Sequence, residues 1–254
     1  MAYDKKYALY YDYFNQGKNY HNEVAFLKEI FKIFSKKEIK IILDLGCGTG
    51  LHTQELTKHN FQVEGLDLAE EMIEIARERN PTATFHQGDM SNFNLNKKYD
   101  AVISMFSAMG YLTENKQLER FFSCCKQHLT KDGLLILDVW NGLGVMHELP
   151  SSREKIAELT DKNLKIIRTS YPTLNAKNHV NNVKFVVKVH ELKTGKIITE
   201  YEENHTVRFF FPQELKKYLE DAGFELVHIC PSFNFDEELT YRHWNMILVG
   251  RLKN

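Results

Sequence analysis

The chain has 254 residues, enough for one large domain or for one domain with a sizeable insertion. Hydrophobic residues make up 43% and charged residues 26%, which is typical of a globular protein with a full core. The net charge of −1 creates no field that would favour nucleic acid, and no run reaches the roughly 18 apolar residues of a membrane-spanning helix.

The cysteines and the N-terminus indicate the compartment. The four cysteines show neither a C-x-x-C pair nor the spacing of a disulfide framework, which favours reduced thiols in the cytosol. The opening segment MAYDKKYALYYDYF is aromatic and polar and lacks the apolar core of a secretory signal. We therefore predict a cytoplasmic protein without nucleic-acid or membrane partners.

Short apolar runs alternate with helical stretches in the first half of the chain. Strands are predicted at 39–45, 62–66, 83–86, 101–105 and 134–139, and helices at 51–58, 69–79 and 115–128. This alternation predicts an α/β fold with a mostly parallel sheet that is covered by helices on both faces.

The pattern changes after Trp140. Three runs rich in Val, Ile, Thr and Phe predict antiparallel strands at 164–171, 180–192 and 197–210. A helix at 212–222, which starts with Pro and ends before Gly, is followed by strands at 225–230 and 244–252.

These elements predict one domain over residues 1–254. Its parts are a helical N-terminal lid at 1–35, a Rossmann-like, doubly wound core with a seven-stranded sheet at 36–140 and 211–254, and an antiparallel β insertion at 141–210. The pattern leaves open whether the protein is a monomer or a homodimer.

The glycine-rich octapeptide LDLGCGTG, residues 43–50, joins the first strand to the first helix of the core. Gly46, Gly48 and Gly50 allow positive φ and close approach of the backbone to a ligand, whose polar end would face the helix N-terminus. The G-x-G-x-G spacing misses the G-x-G-x-x-G dinucleotide fingerprint by one residue. A nicotinamide-dependent oxidoreductase therefore stays an alternative that the spacing disfavours.

Two acidic residues follow the next two strands. Asp67 ends the second strand, where a carboxylate can accept both hydroxyls of a ribose; the alternative is an N-cap for the next helix. Asp89 follows the third strand, where it could accept from an adenine amino group while Met90 packs on the ring; the alternative is a simple turn.

Three such sites at the ends of three successive strands resemble the class I S-adenosylmethionine-dependent methyltransferases. The resemblance implies that S-adenosylmethionine is the cofactor, with its ribose on Asp67 and its adenine on Asp89 and Met90. Its methionine end would lie among Asp44, Gly46, Cys47 and Gly48. Further cofactor contacts are implied for Leu68, Met72, Gly88 and Met105, with Tyr11 and Tyr20 as the lid.

Other motifs narrow the resemblance to bacterial N-methyltransferases of nucleotide-linked amino sugars. They are YDxxxxGKxYxxE from Tyr11 to Glu23, GTGLHT, GLDLAEEM, ARERNP, HQGDM and MFSAMGYL. The resemblance implies a small-molecule acceptor, a nucleotide sugar, bound by Phe106, Tyr111 and Arg242. Tyr111 departs from the family pattern, because many of those enzymes have His at this position.

The roles of these polar residues have alternatives. Tyr11 and Tyr111 are the candidate catalytic residues, but Tyr11 could equally pack within an aromatic helix and Tyr111 could be a wall of the substrate site. Tyr20 is either a second lid residue or packing. Arg242 could grip a phosphate or form a surface salt bridge. The remaining histidines, His205 among them, form no pattern.

The chemistry of the acceptor favours nitrogen over oxygen. An amine loses its proton to a modest base or to water, whereas a hydroxyl needs a stronger base or a metal, and no cluster with metal-ligand spacing is present in the sequence. Another small acceptor, such as a glycan hydroxyl or a free amine, is the alternative. A cofactor-binding scaffold without turnover is a third, and methylation of a nucleic-acid base is disfavoured because residues 105–108 lack the D/N-P-P-Y/F motif.

Overall fold

The computed structural model describes residues 5–253, with side chains from Tyr7 onward. Residues 1–4 of the predicted lid and Asn254 of the predicted core lie outside the described residues. A seven-stranded sheet has the order β10-β11-β5-β4-β1-β2-β3, and a separate four-stranded sheet has the order β6-β7-β8-β9. Strands β1 to β5 are parallel to one another, and β11 is antiparallel to both of its neighbours, β5 and β10.

The predicted fold class is confirmed, and most predicted elements occur within a few residues of their expected bounds. The strands of the larger sheet are β1 Ile41–Leu45, β2 Gln62–Asp67, β3 Thr84–Gln87, β4 Tyr99–Ser104, β5 Leu129–Trp140, β10 Phe224–Pro231 and β11 Asn245–Leu252. The helices are α1 Lys5–Phe14, α2 Tyr20–Phe34, α3 Leu51–Lys58, α4 Glu70–Arg79, α5 Asn115–His128, α6 Gly142–His147 and α7 Pro212–Asp221.

The larger sheet is covered on both faces because its strands alternate their apolar side chains. Ile42 of β1 faces a cluster that includes Leu27 and Ile30 of α2. Leu43, its neighbour, faces the opposite cluster, which includes Phe121 of α5 and Leu215 of α7. Both helices α5 and α7 therefore lie on the face opposite to α2.

The insertion contains one strand and one helix more than the sequence predicted. Its strands are β6 Arg153–Leu159, β7 Leu164–Asn175, β8 Val180–Glu191 and β9 Ile197–Arg208. The segment of β6, REKIAEL, buries only Ala157 and Leu159 because it is an edge strand, so its alternation is hidden among charges. Helix α6 contains two glycines, which lower its helix propensity. The side chain of its N-cap residue Asn141 stabilises the helix by accepting a hydrogen bond from its first turn.

Helix α1 packs between the two sheets. Its residues Tyr7 and Phe14 contact Ile166 and Val187 of the insertion, while Ala8 packs on Met72 of α4. The 3₁₀ turn Ala108–Tyr111, which follows β4, contacts β9 of the insertion. The insertion and α1 therefore both lie at the carboxyl ends of the central strands.

Within residues 5–253, every helix is too short or too polar to cross a bilayer.

Asn141 joins the end of β5 to the segment before β11. Its side chain is fully buried and donates to the carbonyls of Thr240 at 3.0 Å and His243 at 2.8 Å, while accepting from the N–H of Leu143 at 3.2 Å. We expect Asn141→Ala to lower the free energy of unfolding by about 2–4 kcal/mol, because the carbonyls of Thr240 and His243 lose the donor that the buried Asn141 side chain supplies.

Asn19→Ala is the matched control, since Asn19 caps α2 from an exposed position and its side chain accepts from the N–H of Asn22. It is expected to cost about 1 kcal/mol. Urea unfolding of both variants measures the difference, and equal losses would show that the buried bonds of Asn141 contribute nothing.

Candidate active site

The glycine turn after β1 is tightly packed at Gly46 and open at Gly48. Gly46 has a φ of 73°, and a Cβ there would come within 2.5 Å of the Ala108 Cβ and 3.1 Å of the Met90 Cε. Gly48 has a φ of 54°, and a Cβ there would meet nothing within 4 Å. Gly46 is therefore required for the 3₁₀ turn and Met90 to close over the backbone, whereas Gly48 lies next to open space.

Asp67 ties the turn to the next strand. Its Oδ2 accepts from the N–H of Gly48 at 2.9 Å, and its Oδ1 accepts from the N–H of Ala69, the N-cap residue of α4, at 2.9 Å. Burial raises the pKa of Asp67 above its usual value, although hydrogen bonds from the backbone of Ala69, Gly48 and Leu68 oppose the shift. A carboxylate has about four lone-pair sites, so this group is fixed in place and can still accept from a ligand hydroxyl.

A cavity of about 150 Å³ opens at this edge of the sheet. It brings together most of the site residues that the sequence predicted: Tyr11, Gly46, Gly48, Asp67, Leu68, Met72, Gly88, Asp89, Met90, Met105, Phe106 and Tyr111. Four further lining residues were not predicted: Ala69, Ala108, Leu112 and Gln117. The volume is smaller than the roughly 300–1,000 Å³ of ordinary small-molecule sites.

Asp89 lines this cavity while also forming the turn that was its alternative role. Its Oδ1 accepts from the N–H of Ser91 at 2.8 Å. The other carboxylate oxygen of Asp89 and the side chain of Met90 lie near Gly88, just after the end of β3. This donor and acceptor set, with carboxylates after β2 and β3 and open backbone at Gly48, fits the nucleoside and amino-acid ends of the expected cofactor.

Three residues predicted for the cofactor lie behind the cavity wall. Cys47 is buried against Ile73 and Phe85, and Tyr20 packs edge-on against the ring of His52 with 4.9 Å between centroids. Asp44 is 1% exposed and accepts from the Thr53 hydroxyl at 3.3 Å. Burial raises the pKa of Asp44 to about 6.

Arg242, predicted for the substrate, is exposed and does not line the cavity. Its guanidinium lies 5.8 Å from the ring centroid of Tyr241, and its backbone N–H donates to the Thr240 hydroxyl. It belongs to the segment before β11 that Asn141 holds.

Phe106 and Ser107 both adopt positive φ, of 55° and 58°, directly after β4. Asp138 of β5 stabilises this unusual pair: its Oδ2 accepts from the N–H of Phe106 at 2.9 Å, and its backbone carbonyl accepts from the N–H of Ser107 at 3.1 Å. Asp138 is 1% exposed, and the Ser232 hydroxyl donates to its other oxygen. An acidic residue in an otherwise apolar buried strand was the sequence signal for this role.

Asp12 of α1 holds this helix over the glycine turn. The Thr49 hydroxyl donates to Asp12 Oδ1 at 2.7 Å, and Arg79 at the end of α4 donates to Asp12 Oδ2. Arg79 also donates to the Thr49 carbonyl. We call Asp12, Thr49 and Arg79 the latch.

The two candidate catalytic tyrosines differ in their surroundings. Burial raises the pKa of Tyr11 well above its usual value, so the phenol stays protonated at neutral pH. The Tyr111 Oη lies 3.1 Å from Nδ1 of His205 on β9. His205 was one of the histidines that the sequence left without a role, and no local pattern could have assigned it.

A second depression, of about 790 Å³, lies on the far side of the 3₁₀ turn. It contains none of the predicted site residues. Its cation Arg208 already donates to Asn115 and Glu214. We therefore place the candidate active site in the cavity at the glycine turn.

Comparisons with known proteins show the family of this chain. A family model described as a methyltransferase domain matches residues 42–133, which contain the glycine turn, Asp67 and Asp89. The dTDP-3-amino-3,6-dideoxy-alpha-D-glucopyranose N,N-dimethyltransferase of Streptomyces fradiae is 30% identical over 87% of this chain and 84% of its own length. The dTDP-3-amino-3,4,6-trideoxy-alpha-D-glucopyranose N,N-dimethyltransferase of Streptomyces venezuelae is 37% identical over 54% of this chain and 59% of its own length.

Among solved structures, the sugar N-methyltransferase KedS8 from Streptoalloteichus superposes with a TM-score of 0.82 at 21% identity, covering 100% of this chain and 94% of its own. This likeness shows the fold, and the Streptomyces fradiae relative shows the family. The chain therefore belongs to the S-adenosylmethionine-dependent methyltransferases.

Proposed function

We propose that this methyltransferase adds methyl groups to the amino nitrogen of a nucleotide-linked amino sugar. The observation that carries the proposal is the set of ionisable groups on the cavity wall: two phenols, Tyr11 and Tyr111, and two carboxylates, Asp67 and Asp89. The lining offers no histidine, lysine or cysteine among the described residues. Such a wall can guide an amine that needs only a weak proton acceptor, whereas a hydroxyl acceptor would need a stronger base.

The names of the relatives support the acceptor class. The Streptomyces fradiae relative, which aligns over most of this chain, is named for a dTDP-linked 3-amino sugar. The Streptomyces venezuelae relative is named for a second dTDP-linked 3-amino sugar.

The cofactor, when bound, supplies an electrophilic methyl group on a sulfonium. Asp67 would accept from its ribose hydroxyls with the lone pairs that Gly48 and Ala69 leave open. Asp89 and Met90 would meet the adenine at the end of β3. The chain's main contribution to the reaction is placement, since an in-line displacement depends on the alignment of the reacting atoms.

The described part of the predicted lid, residues 5–35, covers this cofactor site through Tyr11 and the latch. The cavity of about 150 Å³ is smaller than ordinary small-molecule sites. We infer that helix α1 moves away to admit the cofactor, which requires Asp12 to release Thr49 and Arg79. The same contacts hold α1 in place when it closes and so exclude water from the reacting groups.

A panel of acceptors tests the proposed function. We expect the purified protein and S-adenosylmethionine to add one or two methyl groups to a dTDP-linked 3-amino-deoxyhexose, detected by mass spectrometry. The matched control is the same nucleotide sugar with a hydroxyl in place of the amine, which should stay unmodified. Methylation of the hydroxyl sugar, or of a free small amine in preference to the nucleotide sugar, would contradict the proposal.

The affinity for S-adenosylmethionine should depend on pH. Burial raises the pKa of Asp44 to about 6, so this carboxyl holds a proton at mildly acidic pH, and burial raises the pKa of Asp67 in the same direction. A cationic ligand favours their ionised forms, so affinity should increase with pH, by about tenfold between pH 5 and pH 7 for a single group of pKa 6.

Isothermal titration across this range measures the slope. Asp44→Asn should flatten it, leaving only the dependence due to Asp67. An affinity that stays constant from pH 5 to pH 7 in the wild type would show that neither carboxyl responds to the cofactor's charge.

A further inference from the structure

The wall of the cavity is connected to the insertion through one contact. Tyr111 lines the cavity, and its Oη lies 3.1 Å from Nδ1 of His205, a residue 94 positions later in the chain. The His205 side chain is buried, and its ring meets that of Tyr111 edge-on at 5.9 Å between centroids. A residue of the four-stranded sheet therefore reaches the candidate active site by way of a tyrosine hydroxyl.

The neighbours of His205 determine which atom donates. Its Nε2 lies 3.8 Å from Glu203 Oε2, which is too far for a hydrogen bond but close enough for the negative charge of that carboxylate to act on the ring. This favours the tautomer with the proton on Nε2, which leaves Nδ1 as an acceptor. The Tyr111 hydroxyl then donates to His205.

The surroundings of His205 keep its ring uncharged. Burial, followed by the positive charge of Arg168, lowers the pKa of His205 to about 4, so the ring is neutral at neutral pH. Tyr7 of α1 lies 5.6 Å from the His205 ring and receives a hydrogen bond from Arg168 of β7, while β8 contributes the uncharged Phe185 at 5.2 Å. Among the described residues, Tyr111, Tyr7, Glu203 and Arg168 are the titratable or charged groups that face it.

We propose that His205 is a positioning residue for methyl transfer: it accepts the Tyr111 hydroxyl proton in a hydrogen bond and so directs a lone pair of the Tyr111 oxygen toward the N–H of the acceptor amine. The inference rests on the proposed N-methylation. When the amine donates its N–H to the Tyr111 oxygen, the orientation of the amine is fixed, and so is the direction of the nitrogen lone pair. An in-line displacement requires such a fixed direction of attack.

The methyl transfer balances without a change in the protonation state of His205. The amine nitrogen forms a bond to the methyl carbon as the carbon–sulfur bond breaks, and the ammonium that results releases its extra proton to water. Tyr111 stays a phenol and His205 stays neutral throughout.

Two substitutions separate hydrogen bonding from packing. His205→Asn keeps an acceptor near the position of Nδ1 but loses ring volume, whereas His205→Phe keeps the ring but loses the acceptor. We expect His205→Phe to lower kcat about tenfold, the loss of one orienting hydrogen bond, with the KM for the cofactor nearly unchanged, and His205→Asn to stay within about threefold of the wild type. A role in packing alone predicts the opposite order and would overturn the proposal.

A double-mutant cycle shows whether His205 acts through Tyr111. In a Tyr111→Phe background, His205→Phe should cause no further loss of kcat, because the hydroxyl it orients is absent. Additive losses would contradict the proposal. Thermal unfolding and the affinity for S-adenosylhomocysteine confirm that each variant is folded.

A spectroscopic readout keeps this inference distinct from the proposed function. The ¹⁵N resonances of His205 should show an unprotonated Nδ1 whose shift changes in Tyr111→Phe. A protonated Nδ1, or an Nδ1 chemical shift that is the same in the wild type and in Tyr111→Phe, would overturn the inference. A wild-type protein that methylates no amino sugar would contradict the proposed function, whereas the imidazole spectrum decides the His205 contact in either case.

Discussion

The site depends on the carboxylate of Asp67, which accepts from the backbone of Gly48 on one side and of Ala69 on the other. These two bonds join the glycine turn after β1 to the N-terminus of α4, so the ends of two neighbouring strands become one rigid edge. The interaction opposes the cost of burial, which raises the pKa of this carboxyl. A carboxylate held in this way needs no rearrangement to meet a ribose, and this preorganisation distinguishes it from a flexible surface acid.

The other parts of the molecule close over this edge from two directions. Helix α1 reaches it through the latch of Asp12, Thr49 and Arg79, and the four-stranded sheet reaches it through His205 and Tyr111. Because α1 also packs on the insertion through Tyr7 and Phe14, a movement of the lid would disturb the insertion as well. Helix α1 therefore connects the glycine turn to the four-stranded sheet, in addition to the contact between Tyr111 and His205.

Local patterns predicted the elements of the core well, and they pointed to the glycine turn and to Asp67 and Asp89 near strand ends, because these are features of short segments. The same reasoning missed β6, an edge strand whose charges hide its alternation, and α6, which depends on its Asn141 cap. It also could not find the latch or the His205 contact, which join residues 37, 67 and 94 positions apart. These residues come into contact only in the folded chain, so the periodicity of the sequence does not predict the contacts.

The central claim is that Asp67 binds the ribose of the cofactor, and isothermal titration of Asp67→Asn tests it most directly. S-adenosylhomocysteine should bind this variant at least about tenfold more weakly than the wild type, while an analogue without ribose hydroxyls should lose much less affinity, namely the part that reflects the weakened glycine turn. Glu70→Gln, which removes an exposed carboxylate from the first turn of α4, is the matched control and should leave both affinities unchanged. Equal affinity of wild type and Asp67→Asn for S-adenosylhomocysteine would contradict the account.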